Sequence, residues 1–68
     1  MTDAGKCLRV LQTRWGVSSV ELASILECHA QQVLRFRKQK NIKLHTLQRI
    51  CAIADISLDD FVALNDEV

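Results

Sequence analysis

The chain has 68 residues, 49% of them apolar and 25% charged, and its net charge is +1. That length allows one small domain over residues 1–68 with a single core, and the composition excludes a disordered tail. No apolar run approaches the ~20 residues a bilayer crossing needs, and the N-terminus MTDAGKCLRV has neither an apolar signal segment nor a cleavage site. A soluble, intracellular protein with no membrane partner is expected.

From Ala4 to Trp15 the apolar positions Leu8, Leu11 and Trp15 recur at three and four residues, the spacing of one helical face. Gly16 then offers a residue tolerant of positive φ, so a first helix should end near Trp15. Ser18 with Glu21 forms an S-x-x-E capping box, which starts a short second helix over roughly 19–26 carrying Leu22, Ala23, Ile25 and Leu26. Over Ala30 to about Lys38, Val33 and Phe36 mark a narrow apolar stripe, with Gln31, Gln32, Arg35 and Lys38 largely on the other face. A polar loop, Gln39 to Lys43, leads to Leu44, Leu47, Ile50, Cys51 and Ala54 at helical spacing, and Asp55 should end that fourth helix. Ser57 with Asp60 repeats the capping logic ahead of Leu58, Phe61, Val62 and Leu64. The expectation is an all-α chain of five helices.

Net charge conceals a strong polarity. Residues 1–27 balance three bases against three acids, residues 28–54 carry six bases and no acid, and residues 55–68 carry five acids and no base. One region can therefore face a polyanion while another is kept off it. The three cysteines leave an odd thiol and form no C-x-x-C pair, which argues against disulfide stapling. Cys28 and His29 are adjacent, and His45 and Cys51 share no zinc spacing with them, so no metal or other cofactor is expected. No set of nucleophile, base and orienting group supports an enzyme.

The segments GVSSVELASILECHAQQVLRFRKQK and LHTLQRICAIADISLDDF resemble the Cro/C1-type, or XRE, helix-turn-helix family of bacterial and phage transcriptional regulators. The most specific parts are V-S-x-x-E-L-A-x-x-L at Val17 to Leu26 and the run from Leu44 to Phe61. The resemblance, which covers about Leu8 to Leu64, implies a compact five-helix, lambda-repressor-like domain. Its second helix bridges the DNA backbone and its third enters the major groove. Where the family usually carries glycine in the turn between these helices, this chain has Glu27. Either Glu27 takes a left-handed conformation or the turn differs.

On this resemblance Ala30, Gln31, Gln32 and Arg35 face base edges. Glutamine can bond adenine through both amide atoms, arginine can bond guanine O6 and N7, and the Ala30 methyl can meet a thymine methyl. Arg37, Lys38, Lys40, Asn41 and Lys43 would hold phosphates, which positions the protein without reading sequence. Arg37 has alternatives in pairing with Glu27 or covering Phe36. Ser19 would donate to a phosphate at the start of the second helix, and His29 would either touch a phosphate or cap the third helix. Cys28 and Cys51 fall where the family has small apolar residues, and His45 should be exposed. Phe61, Val62 and Leu64 are candidates for a homodimer surface that spaces two reading helices about 34 Å apart on double-stranded DNA. A Cro-like repressor on a palindromic operator, cytoplasmic and associated with the nucleoid, is the resulting expectation. The alternative is a protein-interaction module, an antitoxin or co-regulator, using an apolar helix 1 surface of Cys7, Val10 and Trp15 with Val20 beside it.

Overall fold

A computed structural model describes residues 3–66. Helix starts follow the side chains that can cap them. Asp3 accepts from the Lys6 amide and opens α1, Ala4–Trp15; Ser18 and Glu21 form the reciprocal box that opens α2, Ser19–Leu26. Helix α3 spans Ala30–Lys38 and α4 spans Leu44–Ala54, both without a side-chain cap, whereas Ser57 caps α5, Leu58–Ala63. A 3₁₀ turn over Leu64–Asp66 follows, and the described residues contain no strand. The architecture is all-α.

Three helices end alike. Gly16, Glu27 and Asp55 all take left-handed conformations, and the residue after each donates its amide back five residues, Val17 to Gln12 O, Cys28 to Ala23 O and Ile56 to Cys51 O. Each of those following residues is apolar and packs on the core, the contact that accompanies this type of helix end. These three turns fold successive helices back on one another around a core in which Cys7, Leu8, Leu22, Val33, Ile50 and Phe61 are fully buried. Removing such side chains from water stabilises the fold by about 1.5–3 kcal/mol for each of the larger ones.

Two expected surfaces are instead interior. Phe61 and Leu64, candidates for a dimer surface, are 1% and 7% exposed, because α1 packs against α5 and the 3₁₀ turn. Of that trio only Val62 remains open, at 39%. Likewise Cys7 is buried, and Val10 and Trp15 are half-buried against the core. The expected apolar helix 1 patch is therefore largely internal, with Val20 alone strongly exposed.

Helix α1 also fixes the exit of α3. The Ala4 and Gly5 amides donate to Lys40 O and Gln39 O, both at 2.8 Å, and Arg9 Nη1 donates to Arg37 O at 3.1 Å. A Cβ on Gly5 would sit 2.5 Å from Gln39 O and 2.6 Å from Arg37 O, so only glycine allows this approach. Asn65 ties the other end of the described chain to α1, accepting from the Asp3 amide on Oδ1 and from Lys6 Nζ on its carbonyl.

Candidate nucleic-acid interface

The α2–turn–α3 unit depends on Glu27. Its φ of 59° and ψ of 44° lie in the left-handed region, and its amide closes the end of α2. The turn thus keeps the left-handed form that glycine would adopt most easily, using an exposed glutamate. Beyond it, Val33 is buried and Phe36 half-buried, which seats one side of α3 on α1 and α2.

The opposite side of α3 is a stripe at three- and four-residue spacing. Gln31, Leu34, Arg35 and Lys38 are all exposed and line one shallow surface groove. Of the expected base readers, Gln31 and Arg35 therefore share this outward face. Ala30 is half-buried and packs against the core, which leaves less of its methyl for a partner. Gln32 is also half-buried and turns toward a small cleft between α3 and α4, beside His45, Thr46 and Arg49. Leu34 has no counterpart among the expected readers. Its signal was present as position i+3 from Gln31 and i−1 from Arg35.

A polar cluster joins the start of α2 to the end of α3. Arg37 Nη1 donates to Ser19 Oγ at 3.0 Å, and Gln12 Nε2 donates to Val17 O at 3.2 Å and to Ser19 Oγ at 3.4 Å. Two donors directed at the Ser19 oxygen leave its single O–H to donate elsewhere. Arg37 thus bonds Ser19, an arrangement different from a pairing with Glu27. Gln12 is 5% exposed and its Oε1 finds no partner among the described atoms. Sequence reading missed Gln12 and Arg9 in this cluster, since Gln12 reaches across the α1–α2 turn to Val17 and Ser19 and Arg9 contacts a carbonyl 28 residues away.

Around this exposed stripe, Lys38, Lys40, Asn41 and Lys43 are exposed, with buried Ile42 anchoring their loop. No side chain caps the first turn of α3 or α4, and in α3 the Gln32 amide instead donates to His29 O at 2.9 Å; each helix start presents the positive end of its dipole. His29 occupies the N-cap position of α3, yet its exposed side chain makes no capping bond. Burial pushes the Cys7 and Cys51 thiols up from their ordinary value, with Asp3 adding to the rise at Cys7. Both behave as small apolar groups, and Cys28 is half-buried on the core. Among the described residues no three His, Cys, Asp or Glu side chains gather as a metal-holding group, and no helix is long and apolar enough to cross a membrane.

The sequence model for the Cro/C1-type HTH DNA-binding domain matches residues 8–67. The chain belongs to the Cro/C1-type helix-turn-helix family. The match takes in all of α2 to α5 and most of α1, so the Cro/C1-type assignment covers the capped α2, the left-handed turn and the exposed stripe of α3 together. A comparison with curated proteins finds no match. As a Cro/C1-type domain, the chain is a DNA-binding transcription regulator.

Proposed function

We propose that this Cro/C1-type protein is a sequence-specific repressor that binds a palindromic operator as a homodimer and excludes polymerase from the promoter. The observation that carries the reading is the α3 stripe, where Gln31 and Arg35 stand outward on a helix whose other side is locked into the core. Both side chains can make two hydrogen bonds to one base, Gln31 to adenine and Arg35 to guanine. Lys38, Lys40, Asn41 and Lys43 supply phosphate contacts on the same side of the chain's charge division, and the acidic residues from Asp55 onward favour an orientation with α5 away from DNA.

Ser19 and Arg37 act here as a pair. The guanidinium holds the Ser19 oxygen and lends positive charge to the start of α2, where the hydroxyl and the Ser19 amide meet one phosphate. His29 donates to a neighbouring phosphate from the uncapped start of α3. Ala30 and Gln32 contribute at the edges of the reading face rather than its centre.

The dimer surface is narrower than Phe61, Val62 and Leu64 together. Val62 and Ala63 are exposed on α5, next to an apolar cleft of about 450 Å³ lined by residues including Trp15, Ile56 and Leu64. The same cleft supports the second reading, a protein partner in an antitoxin or co-regulator, with half-buried Trp15 lining a groove rather than forming a patch. Selection of bound sites from a random duplex pool tests the proposal. Enrichment of a palindrome with half-sites about one helical turn apart is the expected result. An unenriched pool would refute sequence-specific binding, and an enriched single half-site would refute the dimer.

A further inference from the structure

We propose that Leu34 is a further specificity-determining residue, packing against the C5-methyl of a thymine in the major groove. The assignment rests on the reading of DNA by α3. Leu34 is 46% exposed although it lies in a helix with a core-facing side already filled by Val33 and Phe36. It shares its groove with Gln31, Arg35 and Lys38. The other exposed large apolar residues, Val20, Ile25, Leu44 and Val62, stand on other helices.

The neighbours of Leu34 choose the class of partner. An apolar protein surface placed over this groove would strip water from Arg35 and Lys38 without repaying them, a severe cost for two cations. A DNA major groove offers acceptors to both, in guanine edges and phosphates, and its one apolar feature is the thymine methyl. Leu34 lies three residues beyond Gln31, about 4.5 Å further along the helix axis, against a rise of about 3.4 Å per base pair. The methyl it meets therefore belongs to a base pair roughly one step from the one that Gln31 reads. Ala30, the residue whose methyl seemed suited to this contact, is turned partly into the core. Leu34 takes that role with a larger and more accessible side chain.

Replacing each operator thymine in turn by deoxyuridine removes only the methyl group and leaves every hydrogen-bonding atom in place. In fluorescence anisotropy, wild-type protein should lose about fourfold in affinity at one such position per half-site, the value of burying a single methyl. Leu34→Ala should bind the unmodified operator correspondingly more weakly and should no longer distinguish thymine from deoxyuridine at that position. Its helical circular dichroism should match the wild type. The wild-type arm needs no variant and stands even if Leu34→Ala folds poorly. An operator whose affinity is indifferent to deoxyuridine at every position overturns the assignment alone, as does a Leu34→Ala protein that retains full methyl discrimination. Absence of any preferred operator removes the DNA-reading proposal and this one with it.

Discussion

Glu27 and Gly16 carry the same backbone task with opposite side chains. Both stand in the left-handed region at the end of a helix, and a Cβ on Gly16 would meet nothing within 4 Å. Any cost of a side chain there is therefore conformational. Gly16→Ala should destabilise the protein by about 1 kcal/mol, and Glu27→Gly should stabilise it by about 0.5–1 kcal/mol, the relief of left-handed strain being partly offset by the freer unfolded chain. Urea midpoints of the two variants measure this directly. A lower midpoint for Glu27→Gly would mean that the glutamate side chain contributes something the backbone account omits. At this scale the sequence raised the right question, because a family glycine replaced by glutamate marks a turn under strain. It could not answer it, since whether an L-residue accepts positive φ depends on the amide bonds that close the turn. Leu34 and Gln12 were less legible still. A leucine in a helix reads as core, and a glutamine as surface, until the neighbouring helices are placed.

Helices were legible where local chemistry specifies them. Ser18, Glu21 and Ser57 announce their helix starts, and the three- and four-residue spacing of Leu8, Leu11 and Trp15 announces the core side of α1. What the spacing does not reveal is which partner covers a stripe. Phe61 and Leu64 sit three apart and share a face, but the helix that buries them is α1, more than 45 residues earlier in the chain. The same distance hides the role of Gly5, whose only signature is its lack of a side chain. Gly5→Ala should cost about 1–3 kcal/mol through overpacking against Gln39 and Arg37. Because those carbonyls end α3, the proposed reading helix, operator affinity should fall as well, even at temperatures where the variant remains folded. Thermal unfolding paired with a binding titration checks both effects. A Gly5→Ala protein with unchanged melting would show that the approach of α1 to the end of α3 is looser than these distances require.

Across the whole molecule, the charge division of the sequence gains a structural meaning. Five of the six cationic residues of the middle segment lie on α3 or its exit loop, with Arg49 on α4, and Asp55, Asp59, Asp60 and Asp66 follow from the end of α4 to the 3₁₀ turn. Two contributions to binding should then separate: a phosphate term that any duplex satisfies, and a base-reading term that only the operator satisfies. On the proposed reading, Arg35 and Gln31 belong to the second, Lys38, Lys40 and Lys43 to the first. Fluorescence anisotropy on operator and random duplex, across a salt series, tests that separation most directly. Gln31→Ala and Arg35→Ala should each weaken operator binding by about 1–3 kcal/mol while changing random-duplex binding much less, and Lys38→Ala with Lys40→Ala should weaken both duplexes together and flatten the salt slope. Equal losses on operator and random duplex for Gln31→Ala and Arg35→Ala would contradict the account, because the outward stripe of α3 would then be holding DNA without reading it.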